Sequence, residues 1–147
     1  LQKEWNRCLR LKKPICLAMI DIDYFKLIND EYGHQAGDDA LIQVGELLQE
    51  FANRPGDICA RYGGEEFAIV WGDTSLIQAE QLANEILNKV IKLNIPNCKS
   101  PTKKTLTISI GLSITVPQKK NDESELICKA DTLLYKAKNK GRNRLEN

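Results

Sequence analysis

The stretch RYGGEEFAIV, residues 61–70, places two glycines directly before two glutamates and an apolar run. Gly63 and Gly64 can both adopt positive φ, which suits the two-residue loop of a tight β-hairpin. The segments around them, DICARY and EEFAIVW, have the length and composition of short strands. Glu65 and Glu66 would then lie near the tip of the hairpin. Because adjacent carboxylates repel each other, this pattern predicts a cationic group nearby.

Outward from this hairpin, the spacing of apolar residues predicts alternating helices and strands. Runs of strand length occur at residues 15–22 and 105–115, and the first is uninterrupted, as in a strand buried on both faces. Helical patterns or helix signals mark residues 1–13, 24–33, 38–51, 75–93 and 123–143. A hairpin among such elements predicts an α+β domain, in which helices flank a central mixed or largely antiparallel sheet.

The composition restricts the classes of function. A chain of 147 residues with 42% hydrophobic residues fits one domain with a substantial core. The net charge of +1 argues against an indiscriminate nucleic-acid or membrane binder, and no apolar run reaches the length of a membrane span. The cysteines are scattered without a CxxC pair, so we expect reduced thiols rather than a disulfide framework or a zinc site. They are Cys8, Cys16, Cys59, Cys98 and Cys128.

The first predicted strand ends in two further acidic residues, Asp21 and Asp23. Alternate residues of a strand share a face, so these carboxylates can point the same way. Beside the hairpin, they would converge with Glu65 and Glu66 on one edge of the sheet. A hard divalent cation is the natural compensation for four carboxylates, and Mg²⁺ bridging to phosphates is the commonest case. The alternative is ordinary: solvated acidic residues at a strand end and a glycine turn.

Four sequence blocks carry a resemblance to a known family. They are DIDYFKLINDEYGHQAGD (21–38), GGEEF (63–67), SIGLS (109–113) and KADTLLYKAKNKGRN (129–143). In order and spacing, the chain from about Pro14 resembles the GGDEF family of diguanylate cyclases. The resemblance implies a single GGDEF domain over residues 1–147, with a fold related to nucleotidyl cyclases and the polymerase palm. It also implies that two GTP molecules are condensed into cyclic di-GMP, with release of two pyrophosphates.

The resemblance assigns the acidic residues to metal binding and catalysis. It implies that Asp21, Glu65 and the main-chain carbonyl of Ile22 bind two Mg²⁺ ions in each half-site, although the sequence does not distinguish Mg²⁺ from Mn²⁺. Glu65 would also assist deprotonation of the attacking 3′-hydroxyl, and Glu66 would support the metal site. Lys26 would approach the phosphates in the transition state.

The resemblance also implies a set of substrate-binding residues. Asn29 and Asp38 would read guanine, because an aspartate accepts hydrogen bonds from both guanine N1–H and the 2-amino group. The backbone N–H groups of Tyr24 and Phe25 would bind phosphates. The remaining positions implied by the family are His34 near the substrate and a triphosphate clamp of Lys138 and Arg142.

These polar residues have structural alternatives as well. Asn29 could be an ordinary polar residue near a helix end, and Asp38 could be the N-cap of the helix that begins after it. Lys138 and Arg142 could complement the dipole of the last helix, with Gly141 as its C-cap.

A turn upstream of the hairpin suggests regulation. Arg54-Pro55-Gly56-Asp57 has the RxxD form, five residues before Gly63. In the GGDEF family this is the position of an inhibitory site for the product, where arginine can pair with phosphate or stack on guanine. The same four residues would also make an ordinary turn.

The resemblance finally implies how the domain works with others. Each domain binds one GTP, so catalysis requires a homodimer in which two domains face each other. The chain starts at Leu1 without the family's usual opening segment, and we expect a cytoplasmic domain that lacks its own N-terminal start and any upstream sensory domain. Two alternatives stay open: a catalytically silent module that senses GTP or cyclic di-GMP, and another nucleotidyl transferase or mixed-dinucleotide cyclase.

Overall fold

The computed structural model describes residues 1–120 and 122–147. The helices are α1 (Gln2–Leu11), α2 (Phe25–Tyr32), α3 (His34–Gln49), α4 (Leu76–Lys92) and α5 (Glu123–Asn139). The strands are β1 (Ile15–Ile22), β2 (Ile58–Gly63), β3 (Glu66–Gly72), β4 (Ile108–Thr115) and β5 (Leu145–Glu146). Within the described ranges, no helix is both long and apolar enough to cross a membrane.

The strands form one sheet in the order β2-β3-β1-β4-β5. Neighbouring strands are antiparallel except β4 and β5, which are parallel. The predicted α+β fold with a mixed, largely antiparallel sheet is therefore confirmed. In the register of the central strand, Asp21 lies opposite Glu66 on β3 and Ser109 on β4. The end of β1 thus meets the hairpin and the start of β4 at one edge of the sheet.

All eight residues of β1 are buried because helices cover both faces of the sheet. Alternate β1 residues divide between two hydrophobic clusters, as the two-residue period of a strand requires. Ala18 and Ile20 face α3 and α4, whereas Leu17 and Met19 face α1 and α5. Each large aliphatic side chain buried in this way stabilises the fold by about 1.5–3 kcal/mol. The central strand, and the acidic residues at its end, are therefore held rigidly.

Helix α5 lies unusually close to β4. A Cβ built on Gly111 would be 2.2 Å from both the carbonyl oxygen of Ala130 and the backbone nitrogen of Leu134. Only glycine allows the helix backbone to approach the strand at this point. This contact fixes the path of α5, whose C-terminal end lies near the acidic end of β1.

Several element boundaries differ from those predicted. Gly63 is the last residue of β2 and pairs with Glu66, so the hairpin loop is Gly64-Glu65 rather than Gly63-Gly64. Of the two glycines only Gly64, with φ of +45°, uses positive φ. The last long strand starts at Ile108 rather than at residue 105, and β5 was not predicted. These differences shift Glu65 into the loop and leave Glu66 on the strand.

Candidate active site

Asp21 is the acidic residue at the centre of the site. Its side chain is almost fully buried at the end of β1, directly opposite Glu66. The backbone N–H of Ile22 donates to the carbonyl oxygen of Glu65 at 3.3 Å, which ties the hairpin loop to β1. The structure thus brings together Asp21, Glu65 and Glu66, as the sequence predicted.

The electrostatics of this edge favour an added cation. The pKa of Asp21 is raised to about 6, mainly by burial and also by the negative charges of Glu65 and Glu66. Lys138 opposes this shift, because its Nζ lies 2.7 Å from Asp21 Oδ2 and stabilises the ionised carboxyl. The pKa of Asp21 stays raised despite this ion pair. One lysine therefore does not neutralise the negative charge at this edge.

The oxygen atoms at this edge fit a hard divalent cation. Among residues 1–120 and 122–147, no three Asp, Glu, His or Cys side chains are grouped closely enough to hold a metal ion by themselves. The expected set contains only two carboxylates, those of Asp21 and Glu65, and the carbonyl oxygen of Ile22. A Mg²⁺ ion commonly binds through one or two carboxylates and completes its shell with water and substrate phosphates. The residues present therefore fit such an ion.

The prediction that Asp23 joins the other carboxylates in binding metal is wrong. Its oxygens accept hydrogen bonds from Ser109 Oγ at 2.7 Å, Thr107 Oγ1 at 2.8 Å and the backbone N–H of Asn143 at 3.0 Å. The side chain is buried. Donors at the start of β4, just before it and in the segment after α5 engage both oxygens, so this carboxyl holds parts of the fold together and is not open to a metal ion.

The turn after β1 presents the start of α2. Tyr24 is its N-cap in the left-handed conformation, with φ of 54°, and makes no side-chain capping hydrogen bond. Phe25 is the first helical residue, and the exposed Lys26 follows it. The first N–H groups of a helix lack partners inside the helix and attract anions. The three residues predicted to contact phosphates are therefore placed together at a helix N-terminus.

The chain after α5 brings a cation, Arg142, to the same turn. The N–H of Arg142 donates to the carbonyl of Ala137 at 3.0 Å, and that of Gly141 donates to the carbonyl of Lys138 at 3.4 Å. With φ of +108° at Gly141, this is the Schellman pattern, so the predicted glycine cap is confirmed. Arg142 lies beyond the helix, where its guanidinium is 4.4 Å from the centre of the Tyr24 ring.

The residues predicted to read guanine lie on α2 and α3. Asp38 is inside α3, which begins at His34, so the alternative interpretation of Asp38 as an N-cap is wrong. The Asn29 side chain packs so tightly against Gly37 that a Cβ there would be 1.9 Å from Asn29 Oδ1. His34 is exposed at the start of the helix.

Asp38 also borders a cavity of about 540 Å³, open to the surface between α3 and the hairpin. Its other lining residues are Gln35, Leu41, Ile42, Gly45, Glu46 and Arg61. Asn29 does not line it. The helix packing thus brings Asn29 next to Gly37, the residue that precedes Asp38.

The RxxD segment is a hydrogen-bonded turn. The N–H of Asp57 donates to the carbonyl of Arg54 at 2.9 Å, and the Arg54 guanidinium pairs with the Asp57 carboxyl at 3.1 Å. Arg54 Nη2 also donates to Thr74 Oγ1 at 2.7 Å. A cavity of about 290 Å³, lined partly by Phe51, Arg54 and Asp57, lies beside the turn. The arginine is half-exposed and can therefore still meet a ligand.

Comparison with known protein families shows to which family a chain with this geometry belongs. The family described as "Diguanylate cyclase, GGDEF domain" matches residues 1–144. The chain belongs to the GGDEF family. Its domain is 40% identical over 149 aligned residues to the probable diguanylate cyclase DgcC of Escherichia coli. That alignment covers 99% of this chain but 38% of DgcC, so the chain spans about two fifths of the relative.

Solved GGDEF domains share the fold. The active GGEEF domain of a diguanylate cyclase from Vibrio cholerae superposes with a TM-score of 0.85 at 33% identity, over 98% of this chain and 88% of that one. The GGDEF domain of DgcB from Caulobacter crescentus, solved in complex with c-di-GMP, gives a TM-score of 0.87 at 31% identity. That match covers 99% of this chain and 84% of the other.

Sequence reasoning missed three side chains that shape the site of this GGDEF domain. Thr107 and Ser109 bond Asp23, and Arg61 Nε donates to the carbonyl oxygen of Gly64 at 2.8 Å, across the hairpin loop. Alternation could have identified the first two, because a buried strand that reads TLTISIGLS places hydroxyls at every second position from 105 to 109. No sequence signal indicates the contact of Arg61.

Proposed function

We propose that the chain is a diguanylate cyclase domain that binds GTP with divalent metal ions and supplies half of a reaction centre. The observation that carries the proposal is the meeting of opposite charges at one edge. Asp21, Glu65 and Glu66 lie close together at the end of β1, where Lys138 pairs with Asp21. Arg142 contacts Tyr24 at the N-terminus of α2, a few residues further along the chain. Carboxylates for metal ions and donors for phosphates are what a nucleoside triphosphate requires.

The proposed reaction joins two GTP molecules. In each half, a ribose 3′-oxygen forms a bond to the α-phosphorus of the GTP held by the partner domain, and the bond from that phosphorus to pyrophosphate breaks. The proton leaves the hydroxyl, with Glu65 as its expected acceptor. Two Mg²⁺ ions held by Asp21, Glu65 and the Ile22 carbonyl would supply charge stabilisation at the phosphates.

The other residues would bind and orient GTP. The N–H groups of Tyr24 and Phe25, with Lys26, would bind phosphates, and Lys138 and Arg142 would hold the β- and γ-phosphates. Asn29, Asp38 and His34 would contact the guanosine. Because the reacting atoms belong to two subunits, two domains must face each other with two-fold symmetry.

Product inhibition is the proposed role of the RxxD turn. Arg54 is half-exposed, whereas the side chain of its partner Asp57 is only 4% exposed, so the arginine is the group that a ligand would meet first. Cyclic di-GMP offers phosphates to the arginine and guanine edges to the aspartate. The c-di-GMP complex of the DgcB domain is consistent with this class of ligand. Since GTP is a nucleotide of the cytoplasm, we expect the domain to act there.

The test is product analysis with a matched pair of variants. The chain is incubated with GTP and Mg²⁺, and the nucleotides are resolved chromatographically. We expect cyclic di-GMP and two equivalents of pyrophosphate from the unaltered chain and from Glu80→Gln, a control on α4. Glu65→Gln should abolish synthesis, and retained activity would contradict the metal assignment. GTP binding without any synthesis would favour the sensing module.

A further inference from the structure

We infer that Asp23 is a positioning residue that holds the triphosphate clamp, a role that rests on the proposed function. The clamp is defined as Lys138 and Arg142. Asp23 lies two residues beyond Asp21 and immediately before Tyr24, so it connects the metal edge to the phosphate-binding turn. Its carboxyl accepts a hydrogen bond from the segment after α5, which carries Arg142 of the clamp.

The hydrogen bonds of Asp23 cross between distant parts of the chain. Its Oδ1 accepts from Ser109 Oγ at 2.7 Å, and its Oδ2 accepts from Thr107 Oγ1 at 2.8 Å. The same Oδ2 accepts from the backbone N–H of Asn143 at 3.0 Å. Its own N–H donates to the carbonyl of Thr107 at 2.9 Å. One buried side chain therefore joins the end of β1, the start of β4 and the segment that follows α5.

The segment after α5 needs such an anchor. Arg142 and Asn143 both have positive φ, at 63° and 49°, in the left-handed region that non-glycine residues seldom occupy. Surrounding contacts must maintain such a conformation. The bond from the Asn143 N–H to Asp23 fixes the residue next to Arg142, whose Nη1 then reaches Tyr24 Oη at 3.1 Å.

No cation competes for this carboxyl. Within residues 1–120 and 122–147, no Lys, Arg or His nitrogen lies within 4 Å of Asp23 in an ion pair. A buried carboxylate that lacks a cation depends on its hydrogen bonds, so each donor is strongly held. Asp23 thus acts as a three-way anchor instead of a metal ligand.

A comparison of the affinities for two nucleotides distinguishes this positioning role from a general effect on the stability of the fold. GMP lacks the β- and γ-phosphates that the clamp is proposed to hold, so the ratio of GMP to GTP dissociation constants reports on the groups that hold these phosphates, including the clamp. Affinities are measured calorimetrically in Mg²⁺, with GMP and with a GTP analogue that carries a methylene group between the α- and β-phosphorus atoms. The variants are Asp23→Ala, Asp23→Asn and Ser113→Ala. The last is the control, because Ser113 is an equally buried β4 hydroxyl that bonds the Leu126 carbonyl on α5.

We expect Asp23→Ala to lower the preference for the triphosphate about tenfold, as the loss of a charge-assisted anchor suggests. Asp23→Asn should keep most of it, because the amide oxygen can accept from Asn143 while the Ser109 hydroxyl turns to accept from the amide. Ser113→Ala should keep all of it. If Asp23→Ala does not fold, Thr107→Val replaces it, with an expected loss of about threefold.

Two results would overturn the inference. An unchanged preference in Asp23→Ala, or an equal weakening of both nucleotides, would show that Asp23 only stabilises the fold. If the unaltered chain bound neither nucleotide, the proposed function itself would fail, and the role of Asp23 with it. The two failures are distinguishable because the first requires nucleotide binding by the unaltered chain.

Discussion

Replacing Asp21 by Asn should stabilise the metal-free protein above pH 6, although it removes a residue of the proposed metal site. The carboxyl takes up a proton near pH 6 in the folded chain and near 3.8, the ordinary value of its pKa, when unfolded. Between these values the folded state binds more protons, so the free energy of unfolding falls as the pH rises through this window. Asn cannot ionise, so the free energy of unfolding of the variant does not fall in this way.

The size of the effect follows from the shift in the pKa of Asp21. The shift from 3.8 to about 6 corresponds to about 3 kcal/mol, at about 1.36 kcal/mol for each pH unit. This is an upper value, because Asn leaves Lys138 without its ionic partner at 2.7 Å. At pH 4 the variant and the unaltered protein should differ little, since Asp21 is then protonated when folded. The gain should grow to pH 6 and stay constant above it.

Urea unfolding at a series of pH values, with EDTA present, measures this difference. Asp131→Asn, on the exposed side of α5, is the control and should show no such pH-dependent gain. Adding Mg²⁺ should narrow the difference, because the ion stabilises the ionised carboxylate only in the unaltered protein. If Asp21→Asn were no more stable at pH 7.5, or if the difference did not depend on pH, the desolvation argument would be refuted.

Three further substitutions test other parts of the site. Gly37→Ala should displace the Asn29 amide, whose Oδ1 would be 1.9 Å from the new Cβ, and weaken GTP binding about tenfold. Gly45→Ala on the same helix meets its nearest neighbour at 3.5 Å and should leave binding unchanged, as calorimetry would show. Lys138→Met should strengthen Mn²⁺ binding to the nucleotide-free protein but weaken GTP binding. If the affinities for Mn²⁺ and for GTP changed in the same direction, the proposed role of Lys138 in the clamp would be contradicted. Arg54→Ala should relieve inhibition by cyclic di-GMP in a rate assay. An unaltered inhibition curve would show that the RPGD segment is only a structural turn.

The sequence predicted those features that depend on local pattern. The apolar run at residues 15–22 gave the bounds of β1, and the GGEEF block placed the two glutamates beside its end. The start of α3 was misplaced, because Gly37 weakens the helical pattern of its first turn. That glycine is present for close packing against Asn29, a tertiary requirement that the local pattern does not show.

The partners of Asp23 could not be predicted for a related reason. The donors of Asp23 come from residues 84 to 120 positions further along the chain. Acidic spacing alone therefore grouped Asp23 with the metal ligands. Strand β5 was missed similarly, since two residues have no periodicity and pair with β4 only because α5 returns the chain to the sheet.

The dependence of the synthesis rate on protein concentration tests the central claim most directly, namely that each domain supplies half of a reaction centre. Initial rates of cyclic di-GMP formation are measured at saturating GTP and Mg²⁺ over a wide range of protein concentrations. We predict that the rate per subunit rises with concentration, and that a fused dimeric coiled coil removes this dependence. A rate per subunit that is constant down to the lowest concentration, or no product from the fused dimer despite GTP binding, would contradict the account.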